Sequence, residues 1–247
     1  MLPGSRAPVL LDQFVAAMRT LRPACIVDMG DRINSVAAGQ DAVRERYVRR
    51  RLAEVGVPVY AVLGNTDLEH LAKHEALAAA GKGWAAQTAD VGPLRLVLLD
   101  TADPLVDGTG GAIGDAQAGW LEATLADAPG GCLVFGHHPL DEPDVAGHRY
   151  FAGRPELAAV RNRAQVRAVL AGAPGVLGVF AGHLHRTRSS RHGGIPYVTV
   201  GSLVDAAYTG GEPAGAYGLV TVGPPSLEVT VWGRAPAQFS FAPRPPA

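Results

Sequence analysis

Four times along this chain an apolar run stops at a glycine, and the next residue is one that binds metal ions. The four places are Gly30–Asp31, Gly64–Asn65, Gly136–His137 and Gly182–His183–Leu184–His185. Few folds produce that rhythm. In α/β sheets, ligands gather outside the carboxyl ends of the strands. A glycine there lets the backbone turn sharply, so that the side chain after it points inward. The fourth place is the richest, because two imidazoles follow the apolar run 175–180 with one residue between them. That spacing puts both on one side of an extended backbone. Any one of these places alone would read as an ordinary loop; four in succession predict one shared site. A carboxylate, an amide oxygen and three imidazoles form a mixed oxygen–nitrogen set, which suits Zn, Mn, Fe or Co better than Ca or Mg.

The remaining pattern is that of an α/β protein. Helical spacing over residues 10–21, 41–55, 67–80, 115–126 and 156–171 alternates with strand-like apolar runs, and short strands then follow one another at 197–200, 218–222 and 227–232. Alternation that gives way to consecutive strands predicts a partly antiparallel sheet. With 247 residues, 47% of them hydrophobic, the chain suits one domain, expected over 1–234, followed by a flexible proline-rich tail at 235–247. A net charge of -1 argues against a nucleic-acid polymer as partner. No apolar run approaches the roughly 18 residues of a membrane span, and the start has no signal-peptide pattern. Cys25 and Cys132 lie in apolar runs and read as buried thiols of a reducing, cytoplasmic setting.

With its GD, GN, GHH and GHxH motifs at Asp31, Asn65, His137 and His183/His185, the chain resembles the calcineurin-like metallophosphoesterases. Within them it is most similar to the class III cyclic nucleotide phosphodiesterase branch, on the segments RPACIVDMGDRIN, WLEATLADAP, VFGHHPL and FAGHLHR. The likeness runs over residues 10–232. It implies a four-layer α/β/β/α sandwich of two mixed β-sheets. It also implies one or two divalent transition metals (Mn, Zn or Fe), and hydrolysis of a small phosphodiester or phosphomonoester by metal-activated water. Carried over by position, Asp31 bridges two metals, Asn65, His137 and His183 complete the second site, and His185 serves the first.

Two departures from the family pattern matter. The Asp-x-His motif that ends the family's first strand is absent, and that strand with it, which leaves the first metal only Asp31 and His185. The competing explanations are a natural start upstream, a mononuclear or substrate-completed enzyme, and a degenerate non-hydrolytic binding or scaffold protein; a metal-assisted enzyme repurposed for another reaction is a further reading. Asp28, a carboxylate inside an apolar run, is the candidate compensating ligand, since a buried carboxylate needs a partner or a metal. An exposed sheet edge beside the missing strand would favour a homodimer. The second departure is Thr66, where the family carries a histidine that assists the leaving group. Threonine is no acid near neutral pH, so the expected substrates have good leaving groups, such as phenolates, unless His138 serves as the acid. Thr66 and Arg149 are the candidate substrate contacts.

Overall fold

The computed structural model describes residues 6–126, 130–223 and 226–242. The chain runs α1 (Ala7–Leu21), β1 (Ile26–Asp28), α2 (Ala38–Ala53), β2 (Val59–Ala61), α3 (Lys73–Ala80), β3 (Gln87–Val91), β4 (Leu94–Leu98) and α4 (Asp115–Ala126). It continues with β5 (Cys132–Phe135), α5 (Arg163–Gly172), β6 (Val176–Ala181), β7 (Arg188–His192), β8 (Ile195–Thr199), β9 (Tyr217–Gly223), β10 (Ser226–Trp232) and β11 (Ala237–Phe241). In α1 the apolar spacing buries Leu11, Val15 and Met18 on one face. The helix stops where Arg22 turns left-handed and its N–H bonds the Met18 carbonyl, just before Pro23.

Six strands form the main sheet in the order β3-β4-β5-β6-β8-β7. The inner four are parallel and the two edge strands antiparallel, so the sheet is mixed. β5 is buried along its whole length, and its side chains divide between two cores. Cys132 and Val134 face α4 and α5, against Leu121, Leu125, Val166 and Leu170. Leu133 and Phe135 face the other way, onto Leu227, Val229 and Val231 of β10, with Val27, Met29 and Tyr60 packed beside them. Covering both faces in this way explains why the central strands read as continuous apolar runs. Removing one side chain from such a core, as in Leu121→Ala, costs about 2–5 kcal/mol. On the far side, Leu11 of α1 and Val48 and Leu52 of α2 pack together with Val59. The layers are therefore α/β/β/α, as expected.

The second β-layer differs from the expected single mixed sheet. It comes in two pieces, a parallel β1–β2 pair and an antiparallel β9–β10–β11 ribbon. The expected flexible tail also needs correction, since residues 237–241 form β11, paired along β10 with Phe241 buried. Alternate phenylalanines at 239 and 241 supply that strand's inward face; residues 243–247 of the expected tail lie outside the described residues. Two expected helices are shorter and begin with a separate 3-10 turn, at Thr66–Leu68 and at Pro155–Leu157. Both turns serve the site described next. Both thiols are free, with Cys132 buried. No helix among the described residues is long and apolar enough to cross a membrane.

Candidate metal centre

Strand register brings the four motifs together. β1 and β2 are paired in parallel (Asp28 opposite Ala61), and so are β5 and β6 (Phe135 opposite Phe180), so each pair delivers its two motifs at one edge. The Gly182 N–H donates to the His137 carbonyl at 3.0 Å, joining the two histidine loops. The loops that carry the oxygen ligands approach even more closely. A methyl group on Gly64 would lie 2.1 Å from Asp31 Oδ1, and one on Gly30 would lie 2.5 Å from the Gly64 nitrogen. Only glycine fits at either position. Asp31, His183 and His185 all have left-handed backbones, with φ of 53°, 60° and 54°. Such conformations are uncommon outside glycine and gather at functional sites.

Hydrogen bonds to backbone carbonyls fix the imidazole tautomers. His137 Nδ1 donates to the Met29 carbonyl at 2.7 Å, and His183 Nε2 donates to the Leu157 carbonyl at 3.0 Å. The lone pairs therefore sit on His137 Nε2 and His183 Nδ1, and these two atoms face each other 3.2 Å apart. Asp31 Oδ2 lies 3.3 Å from the same His137 Nε2. Two bare lone pairs repel at this distance, so something positive belongs between them. Donors each about 2.0–2.1 Å from a shared tetrahedral ion stand roughly 3.4 Å apart. Asn65, next to Gly64 on the loop that touches Asp31, has a buried Oδ1 with no hydrogen-bond partner, an arrangement that is costly unless a cation or another donor meets it. The donor types of Asp31, Asn65, His137 and His183 suit a divalent transition metal.

The electrostatics agree. Burial opposes charge on Asp31, but His137 and the Thr66 N–H outweigh it and hold the carboxyl well below its usual range. Burial likewise opposes charge on His137, yet Asp31 draws its pKa upward. Burial, with His138 and His137 nearby, pushes His183 well down. The raised His137 pKa means that a proton on Nε2, facing Asp31 and His183 Nδ1, can supply positive charge there, and a metal would take that proton's place.

Other expected residues are placed differently. His138 is fully buried: its Nε2 donates to the Thr109 carbonyl at 2.9 Å, and its Nδ1 takes the Thr101 hydroxyl at 2.8 Å. Burial and His137 push its pKa down to about 3. With both ring nitrogens engaged, it is corrected from candidate acid to structural residue, even though it forms a group with His137 and His183 whose ligand atoms lie within 4.8 Å of one another. Thr66 is corrected too, since its hydroxyl donates to the Ile33 carbonyl and its N–H to Asp31 Oδ1. Asp28 does not compensate for the missing ligands: it accepts the Gly30 N–H and faces Arg32 at 3.7 Å. His185 gives Nδ1 to Asp205 Oδ2 at 2.8 Å on the more open side, its side chain 29% exposed. Arg149 stands at the rim, its guanidinium 5.8 Å from the Tyr150 ring centroid.

Sequence reading missed the support beneath the ligands. Buried Asp67 accepts the N–H groups of Asp31 (3.0 Å) and Gly64 (2.9 Å) on one oxygen and that of Arg32 (3.0 Å) on the other. One carboxylate therefore staples together the loops of both oxygen ligands, and the 3-10 turn after Asn65 aims it there. Arg32 in turn bonds Glu45 at 2.6 Å and approaches Asp67 at 3.4 Å. Asp205 does similar work for His185. Burial opposes its charge, but His185 and the N–H groups of Ala206 and Ala207 hold its pKa below the usual range.

A sequence profile described as calcineurin-like phosphoesterase matches residues 8–187. That match is to the family as a whole and does not single out the cyclic nucleotide branch. Among curated proteins, none matches the chain. Solved structures share the fold. A dimetal phosphatase from Danio rerio superposes with TM-score 0.74 at 18% identity, covering 95% of this chain and 88% of its own. GAP50 of Plasmodium, described as the anchor in the inner membrane complex, gives 0.69 at 13% identity, covering 98% and 85%. TT1561 of Thermus thermophilus gives 0.56 at 14%, covering 96% and 94%.

Proposed function

The chain belongs to the calcineurin-like phosphoesterase family, and we propose that it hydrolyses a small phosphoester with the help of a divalent transition metal. One observation carries this reading: the lone pairs of His137 and His183 converge at 3.2 Å beside Asp31, with the Asn65 amide oxygen buried and unsatisfied. A metal bound there would supply Lewis acidity toward a phosphoryl oxygen and lower the pKa of water. The protein does the rest. Asp31, Asn65, His137 and His183 hold the ion; the Met29 and Leu157 carbonyls keep the two imidazoles in the ligating tautomer. His185, oriented by Asp205, presents Nε2 on the open side, where it can donate to a phosphoryl oxygen when it carries a proton or hold a second ion with its lone pair. With Thr66 and His138 both engaged elsewhere, the reading favours esters whose leaving groups depart without a proton.

The competing reading is a binding or scaffold protein that keeps a metal site without turnover, and the internal engagement of Thr66 and His138 is what favours it. The fold does not decide between them, because it is shared by a phosphatase and by a protein described as an anchor. The deciding assay is p-nitrophenyl phosphate and bis-p-nitrophenyl phosphate hydrolysis with added Mn, Zn or Fe. Metal-dependent turnover that disappears in His137→Ala supports hydrolysis. No turnover with any metal, in protein that binds the metal, supports the binding reading.

A further inference from the structure

We propose that the exposed Tyr150 ring, beside His185 at the open side of the centre, receives a planar aromatic leaving group, making aryl phosphoesters the substrate class; this rests on the phosphoesterase reading above. His137 and His183 are 1% and 5% exposed, whereas the His185 side chain is 29% exposed and marks the way in. Tyr150, a large residue 46% exposed, stands next to that histidine. Apolar surface left in water costs free energy, and its placement beside a binding site is informative.

The Tyr150 side chain is not merely loose on the surface. The Tyr150 hydroxyl lies 3.4 Å from both oxygens of Asp205, the carboxylate that orients His185. Its backbone N–H donates to His148 Nδ1 at 3.2 Å, and His148 Nε2 donates to the Leu184 carbonyl at 2.9 Å, inside the motif itself. The Tyr150 ring stands edge-on to His185, with centroids 5.7 Å apart at 76°. Asp205 itself is held by a turn in which the Ser202 hydroxyl accepts its N–H at 3.0 Å. A positioned ring is thus tied through Asp205 to the open-side histidine. Aromatic faces stack best on other flat rings. The nearby Arg149 guanidinium adds positive charge at the rim, suited to an anionic ester. The hydrogen bonds that engage the Thr66 hydroxyl and both His138 ring nitrogens leave neither aimed at a leaving group, which points independently to phenolate-type leaving groups.

The test is the equilibrium binding of phenylphosphonate and methylphosphonate to the manganese-loaded full chain, for wild type, Tyr150→Leu and Tyr150→Phe. Wild type is expected to bind phenylphosphonate about tenfold more tightly, the scale of one stacked ring. Tyr150→Leu should abolish that preference, so that the two phosphonates bind equally, and Tyr150→Phe, which drops only the hydroxyl contact to Asp205, should retain it. A wild type without preference, a preference that survives Tyr150→Leu, an equal weakening of both ligands, or no binding of either would each overturn the inference. Turnover of phenyl phosphate by the same preparations separates the two claims. If the binding preference is present but neither phenyl phosphate nor the two p-nitrophenyl esters turns over, the phosphoesterase reading fails and takes the substrate claim with it, while the aromatic subsite at Tyr150 stands. If turnover is present and the preference survives Tyr150→Leu, only this inference fails.

Discussion

His137 Nε2 and His183 Nδ1 face each other 3.2 Å apart, and the other nitrogen of each ring is bonded to a backbone carbonyl. Neither ring can turn to relieve the contact without stranding a buried donor, which costs about 1–3 kcal/mol. The arrangement is therefore prepared for a cation. Binding should raise Tm with added Mn or Zn, since a ligand held only by the folded state stabilises it. His183→Ala should abolish the metal-induced rise in a thermal melt; an undiminished rise would place the metal elsewhere.

His185 stands apart from that set, with Nδ1 committed to Asp205. His185→Ala should leave the metal bound by Asp31, Asn65, His137 and His183 in place. Hydrolysis should fall tenfold or more, because an open-side contact to the phosphoryl group is lost. Metal content and turnover measured on the same sample check this. Loss of the metal would show that His185 is an essential ligand.

Asp67 holds the Asp31 and Gly64 loops with three accepted N–H bonds. Asp67→Ala leaves those donors buried and removes one counter-charge from Arg32, a change expected to cost about 3–5 kcal/mol. Asp67→Asn restores the shape with fewer acceptors, and should refold but bind metal more weakly. Urea unfolding and metal titration together check both parts, and wild-type metal affinity in Asp67→Asn would refute the staple.

Arg32 is shared by Asp28, Glu45 and Asp67, so one guanidinium meets three carboxyl groups. Burial first, and then Asp67, push the Glu45 pKa up to about 8. Between the unfolded value near 4.5 and about 8, folded Glu45 keeps a proton that the unfolded chain releases. Its contribution is therefore fully present below the unfolded value and fades as pH rises through about 8. Glu45→Gln, permanently neutral, should lack that loss, so that its stability relative to wild type improves from pH 5.5 to pH 9. Parallel stability profiles over this range would show that Glu45 is ionised throughout.

The meeting of the candidate ligand loops was legible in the sequence because its signal is local: an apolar strand, a glycine that permits close approach, and a side chain of ligating type. The layer order followed from the same alternation. What the sequence did not reveal depends on contacts between distant segments. His138 looks available beside His137 until Thr101 and Thr109 fold against it. Thr66 looks free until Ile33 arrives to accept its hydroxyl. Asp28 is the exception: its partner Arg32 stands only four residues on, but the sequence does not show that the chain turns back there. Asp67 and Asp205 carry no motif of their own, and their roles appear only when the loops they join are brought together. β11 was hidden by the prolines around it, although the alternation of Phe239 and Phe241 was there to be read.

Metal content per chain, measured by elemental mass spectrometry on protein purified without chelator and then incubated with Mn or Zn, tests the central claim most directly. The account predicts at least one transition metal per wild-type chain, and a loss of that metal in both His137→Ala and Asn65→Ala. A wild-type chain that takes up no metal, or variants that keep the full amount, would contradict it.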